Sequence, residues 1–86
     1  MIPARDAWGP WANDITDAER TARCRCLRAV VTLTAGPRGE TLTEHLRLAE
    51  RDPAHLPLAL AALNRLAGLD LRHTVASYGA INRPRT

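Results

Sequence analysis

The sequence predicts an all-α fold: a compact bundle of about four short helices with an irregular N-terminal arm. Alanine, leucine and arginine dominate the composition, and all three are strong helix formers. Apolar residues recur at the three- and four-residue spacing of amphipathic helices over several stretches. Glycine and proline separate these stretches, and a chain of 86 residues has room for one domain with one core.

The chain divides into three segments by composition. Residues 1–15 are predicted to be an irregular arm, because two prolines and a glycine interrupt any regular element there. Residues 16–82 are predicted to form a single helical domain. Residues 83–86 read as a basic tail.

The first helix of the domain has a clear start. Thr16 and Glu19 have the spacing of a capping box, in which a hydroxyl and a carboxylate satisfy free backbone amides. The helix is predicted to run from Asp17 to about Thr34. At about 100° per residue, six apolar residues fall within one sector and predict its buried face. These residues are Ala18, Ala22, Cys26, Ala29, Val30 and Leu33.

The second helix follows a turn rich in glycine. Thr41 and Glu44 form a second possible capping box, so this helix is predicted from Leu42 to about Arg51. Its predicted inward residues are Leu42, Leu46 and Ala49. An Asp-Pro pair then ends it and can begin the next element.

The third and fourth helices complete the bundle. The third is predicted to carry Pro57 in its first turn and is apolar on every side, so we expect it at the centre. Gly68 is a candidate left-handed stop after it, and Asp70 a candidate cap for a fourth helix from Leu71 to about Ile81. The predicted inward residues of the fourth helix are Leu71, Val75 and Tyr78.

No motif in the sequence predicts catalysis, a cofactor or a metal. The chain lacks a nucleophile elbow, a zinc-protease motif and a phosphate-binding glycine loop, and its three histidines lie on separate elements. We therefore expect a protein that is not an enzyme. Cys24 and Cys26 are about 200° apart on a helix, so they cannot share a metal ion. Cys26 is predicted to be buried, and Cys24 to lie outward beside arginines that would lower its pKa.

The sequence also bears on the compartment. The N-terminal residues lack the apolar core of a signal peptide, and no stretch of about 18 apolar residues occurs. We expect a cytoplasmic protein with reduced thiols. The arginine-rich, lysine-free composition favours an accessory protein of a high-GC bacterium or its phage.

The leading functional hypothesis is a small regulatory module that binds a protein partner or a second copy of itself. The net charge is +3, and four arginines without an intervening acid lie on the first helix. Leu27 and Val31 fall off the predicted buried face, so we expect them to be exposed at an interface. The tryptophans of the arm are predicted to plug the core, or else to anchor a partner. The candidate partner-binding residues are Arg20, Arg23, Arg25, Arg28, Trp8, Trp11, Leu27 and Val31.

The alternative is a DNA-binding regulator. Residues 57–82 could form a helix-turn-helix pair, with Gly68 in the turn and the fourth helix reading bases. Nucleic acid would then be the partner, and the basic tail would contact phosphates. The candidate DNA-binding residues are Arg72, His73, Ser77, Asn82, Arg83 and Arg85.

Overall fold

The computed structural model describes residues 8–12 and 15–81. This part of the chain contains four α-helices and no β-strand, which confirms the all-α prediction. The helices are α1 (Asp17–Thr34), α2 (Glu40–Ala49), α3 (Leu56–Asn64) and α4 (Gly68–Ile81). Short 3₁₀ segments cover Gly9–Trp11, Gly36–Gly39 and Pro53–His55. None of the described helices is long and apolar enough to cross a membrane.

Helix α1 is the centre of the arrangement. It packs against α2 on one side and against α4 on another, while α3 packs on α2. The Thr34 and Thr74 hydroxyl groups are 2.8 Å apart and hydrogen-bonded, so α4 crosses the end of α1 and runs back along it. Although α3 and α4 are consecutive, they share little direct packing.

The start of α1 is as the sequence predicts. Thr16 has extended backbone angles, and its Oγ1 atom accepts a hydrogen bond of 3.0 Å from the Glu19 amide. Asp17 and Glu19 lie in the first turn, where their charges favour the positive end of the helix dipole. The bounds of α1, Asp17–Thr34, agree with the prediction.

The buried face of α1 differs from the predicted one. Its buried residues are Cys24, Leu27, Val30 and Val31. Ala18, Ala22 and Ala29 are exposed, and Leu33 is 85% exposed. The predicted face is therefore wrong by a rotation of about 140° about the helix axis. Leu27 and Val31, predicted to be exposed, are completely buried.

Two properties of the side chains explain why a different face of α1 is buried: the apolar area that each can bury and the length of the arginine side chains. Three of the six residues on the predicted face are alanines, whose burial removes little apolar surface from water. Leu27 and Val31 remove more, and the arginines beside them can lay their methylene stems along the core with the charged groups at its edge. Apolar bulk therefore decides which face is buried.

The second capping box does not form. Gly36 has a φ of +57°, a left-handed conformation that suits glycine, and the 3₁₀ segment after it leads directly into α2 at Glu40. Gly39 precedes α2 and has no room for a Cβ atom, which would collide with the Val31 side chain. The inward residues of α2 are confirmed: Leu42, Leu46 and Ala49 are buried.

Two predictions at the α3–α4 connection are also wrong. Gly68 is the first residue of α4 and not a left-handed stop, because the left-handed glycines of the described chain are Gly9 and Gly36. Asp70 lies buried in the first turn of α4, where it pairs with Arg38. Helix α3 is also only partly enclosed, since Leu58 is half exposed.

Two leucine substitutions on α1 test its orientation. Leu27→Ala should lower the free energy of unfolding by about 2 to 4 kcal/mol, because it leaves a cavity in the core. Leu33→Ala, the matched change on the exposed face, should change it by less than about 0.5 kcal/mol. Urea unfolding followed by circular dichroism measures both, and a larger loss for Leu33→Ala would contradict the described packing.

Candidate functional site

The first two arginines of α1 are paired with acids of its own first turn. Arg20 Nη1 lies 2.8 Å from Asp17 Oδ1, and Arg23 Nε lies 3.0 Å from Glu19 Oε2. Arg23 also donates a hydrogen bond of 3.1 Å to the Gly9 carbonyl. These arginines bind elements of this chain, so their charges are largely compensated before any partner arrives.

The other two arginines of α1 share one acid. Arg25 Nε lies 3.1 Å from Glu50 Oε1, and Arg28 Nη2 lies 3.0 Å from Glu50 Oε2. Glu50 follows the last turn of α2, and its side chain is largely buried. The sequence proposes these four arginines as a binding face. In the structure, two of them contact the first turn of α1 and the other two connect α1 to the end of α2. Three acids face these four arginines: Asp17 and Glu19 lie just before the run, and Glu50 lies 22 residues beyond it.

The tryptophans pack inward, as the sequence analysis favoured. Trp8 stacks on Trp11 with ring centroids 5.8 Å apart and contacts Tyr78 at 4.9 Å. Trp11 Nε1 donates a hydrogen bond of 2.8 Å to the Leu56 carbonyl. Both indoles are half-buried against the core, and they attach residues 8–12 to the ends of α3 and α4.

The cysteines have the opposite arrangement to the predicted one. Cys24 is completely buried, while Cys26 is only partly buried. Burial, assisted by nearby Glu50 and opposed by Arg20, raises the pKa of Cys24 from 9.0 to about 11. The prediction of an outward Cys24 with a lowered pKa is therefore wrong.

The proposed DNA-binding residues do not share one face of α4. Arg72 and His73 are exposed and Ser77 is half-buried. On a helix, Arg72 and Ser77 are about 140° apart. The reading helix of a helix-turn-helix packs on the helix before it, whereas α4 packs mainly on α1. The remaining residues of this set lie outside the described chain: Asn82, Arg83 and Arg85.

An open groove of about 550 Å³ runs along one side of α4. Gly68, Leu71, Arg72, Val75 and Ala76 line it. At about 100° per residue, these five side chains lie beside the face that α4 packs on α1. The groove is mostly apolar, with the Arg72 guanidinium as its charged group.

A second cleft of about 160 Å³ lies between the start of α2 and the end of α3. Its lining residues are Arg38, Thr41, Leu42, Ala62, Arg65 and Leu66. Arg38 is fixed there because its Nε and Nη2 atoms donate hydrogen bonds of 2.7 and 3.0 Å to the Asp70 carboxylate. Leu69, between the groove and this cleft in the sequence, is 56% exposed.

No family model, curated protein or solved structure matches this chain. Sequence reasoning missed the two clefts because they depend on how α4 sits against its neighbours. The sequence does contain one indication of an additional apolar surface. The apolar residues of α4 are spread around more of the helix than one buried face would need.

Two of the three histidines lie close together, but the described residues form no cluster of metal-ligating side chains. Among residues 8–12 and 15–81, no three side chains of His, Cys, Asp or Glu lie close enough to hold a metal ion. His45 and His55 do stack with ring centroids 6.3 Å apart, and the Nδ1 atom of each is buried without a hydrogen-bond partner.

The cysteine arrangement predicts selective thiol labelling. At about pH 8, only about one Cys24 side chain in a thousand would be thiolate, and its sulfur is inaccessible. A disulfide reagent should therefore modify Cys26 first in the folded protein and both cysteines in denaturant. Peptide mapping identifies the modified residue, and preferential modification of Cys24 would contradict its burial.

The Arg38–Asp70 pair predicts a dependence of stability on pH. The Arg38 guanidinium lowers the pKa of Asp70 below its ordinary value of 3.8. Because the pKa of Asp70 is lower in the folded state, its ionised carboxylate stabilises the fold at pH values above the pKa that Asp70 has in the unfolded chain. This stabilisation is lost as the pH falls through the pKa of Asp70 in the folded state. Asp70→Asn should therefore lower the melting temperature at about pH 7, and the difference from wild type should narrow below about pH 4. A difference that is the same at every pH would contradict the pairing.

Proposed function

We propose that this chain is a non-catalytic regulatory module that binds a partner protein through the corner between α3 and α4. We call this region the corner surface and define it by Arg65, Leu69 and Arg72 together with the groove along α4. The observation that supports the proposal most directly is the groove itself, an open and mainly apolar depression of about 550 Å³. Apolar grooves with a few polar groups are typical of binding surfaces on small proteins.

The flanking residues support the same interpretation. Leu69 is more than half exposed, and Ala76 is exposed on the groove edge. A partner's apolar side chain placed here would remove these groups from water without moving the backbone.

Self-association through α1 is the weaker proposal. The exposed face of α1 offers Ala18, Ala22, Ala29 and Leu33, which are small except for the leucine. A stable interface needs about 800 Å² from each partner, more than these four side chains supply. A homodimer would have to include other surfaces as well.

The DNA-binding alternative has less support. The arginines of α1 are paired with acids of this chain, and Arg72 and Ser77 point in different directions. Binding to a phosphate backbone depends on several cations acting together. Arg72 at the groove and Arg65 at the smaller cleft have no described acid partner, but they line separate depressions.

The proposed setting is the cytoplasm, where the module would act as an accessory protein. Two cysteines separated by one residue on a helix point about 200° apart and cannot form a disulfide with each other. They suit a reducing compartment, in which thiols stay reduced.

Partner capture with a matched pair of variants tests the proposal. Ala76→Gln would place a larger side chain in the groove, whereas Ala29→Gln makes the same change on the exposed face of α1. Both positions are helical and exposed, so both variants should fold like wild type. Proteins captured from a cell lysate would be identified by mass spectrometry, purified and titrated against each variant by calorimetry.

We expect a partner that binds wild type and Ala29→Gln alike and binds Ala76→Gln at least about tenfold more weakly, because the groove is filled. Equal binding by all three proteins would remove the groove from the interface. Tight, salt-sensitive binding of random duplex DNA by wild type would instead favour the DNA-binding alternative.

A further inference from the structure

The groove along α4 is lined by a single helix in the described chain. Its described lining residues all lie on one face of α4: Gly68, Leu71, Arg72, Val75 and Ala76. A helix is a convex cylinder, so one helix face bounds such a space on one side and leaves its other side open to a second segment. Helix α1 meets α4 at Thr74, about 100° from Val75 around the helix, and α3 shares little packing with α4. A segment of this chain that fills the groove therefore has to come from outside the described residues.

One of the segments outside the described residues has the composition to fill an apolar groove. These segments are residues 1–7, 13–14 and 82–86. Residues 13–14 are both polar, and residues 82–86 carry two arginines and no acid, so the charge of Arg72 disfavours them. Residues 1–7 carry one arginine and one acid, so their side-chain charges cancel. The other five side chains of this segment are apolar: Met1, Ile2, Pro3, Ala4 and Ala7.

Trp8, the residue that follows this segment, is attached beside α4. Its ring contacts that of Tyr78 with centroids 4.9 Å apart, and a Cβ atom added to Gly9 would lie 3.7 Å from the same tyrosine ring. Tyr78 lies about one turn beyond Val75, and the two side chains are about 60° apart around the helix. Residues 1–7 therefore join the described chain next to one end of the groove.

The segment is long enough to follow the whole groove. From Tyr78 back to Gly68, α4 rises by about 15 Å. Seven extended residues span about 23 Å. Pro3 favours an extended backbone, because its ring restricts both its own φ angle and the conformation of Ile2 before it. The guanidinium of Arg72 lies near Gly68, where a Cβ atom would be 3.6 Å from its Nη1, so the half of the groove nearer to Trp8 is the more apolar one.

We propose that residues 1–7 fold back along α4 and occupy the groove, with their aliphatic side chains against Leu71 and Val75. A partner protein then has to displace them, so the chain carries its own competitor for the groove. The docking of the segment stands without any partner, whereas its role as a competitor rests on the proposed function of the groove.

The balance of forces makes this occupation reversible. Burial of the aliphatic side chains of Met1 and Ile2 against the groove favours docking. Loss of backbone freedom over seven residues opposes it. Attachment at Trp8 gives the segment an effective concentration of the order of millimolar at the groove, so even a weak contact is populated. A partner that buries more apolar area than the segment can replace it.

NMR spectroscopy of the isotope-labelled full chain tests the docking. We expect nuclear Overhauser contacts between the methyl groups of Ile2 and those of Leu71 or Val75 in the wild-type chain. Ile2→Ser should remove these contacts and shift the amide resonances of the groove residues. Leu33→Ser makes a matched change at a side chain that is 85% exposed on α1, and it should leave the groove resonances where they are.

The apolar dye anilinonaphthalene sulfonate tests whether the segment restricts access to the groove, because it binds exposed apolar surface. If the groove is free for a third of the time or less, releasing the segment should tighten dye binding at least about threefold. We therefore expect a lower Kd for Ile2→Ser than for wild type and for Leu33→Ser. Adding Ala76→Gln to Ile2→Ser should reverse the gain, because it fills the groove.

The contrary outcomes separate the three statements. Absence of any contact between residues 1–7 and the groove in the wild-type chain would refute the docking and leave the proposed partner-binding function untouched. Contacts at the groove together with equal dye binding by wild type and Ile2→Ser would refute the competition. Failure to capture a partner protein would count against the proposed function alone, since the docking is measured without a partner.

Discussion

The carboxylate of Glu50, bound between Arg25 and Arg28, is the constraint on which the rest of the structure depends. Together with the apolar bulk of Leu27 and Val31, it sets the rotation of α1 against α2, because both arginines lie on the side of α1 that meets the end of α2. With that rotation set, Leu27 and Val31 enter the core. Removing the carboxylate would leave two guanidinium groups at the junction of α1 and α2 without their acid, and this would destabilise the packing of the two helices.

The rotation of α1 also determines how α4 can pack. One side of α1 is occupied by α2, so α4 lies along another side, and polar contacts anchor it. Arg38 binds Asp70 at its start, and the Thr34 and Thr74 hydroxyl groups bond one turn later. Anchored along α1 and sharing little packing with α3, the helix has a flank that no other described helix covers, and this flank lines the groove.

Local signals in the sequence predicted much of the fold, and contacts distant in the sequence account for the errors. The Thr16 cap is made within four residues, so the start of α1 could be predicted from spacing alone. The buried face of α1 could not be predicted in this way, because Arg25 and Glu50 are 25 residues apart and their pairing leaves no periodic pattern in the sequence. A hydrophobic pattern also counts each alanine like a leucine, although Leu27 buries far more apolar area.

The same distinction applies to the arginines that the sequence proposes as a binding face. A run of four arginines without an acid on α1 is a conspicuous charge pattern, but two of them pair with acids of the first turn of α1 and the other two share Glu50 at the end of α2. Arg65 and Arg72 are isolated in the sequence and inconspicuous, yet no described acid compensates them. What a partner can bind is the charge that folding leaves uncompensated. In a small basic domain, ion pairs within the chain must therefore be identified before any arginine is assigned to a binding surface.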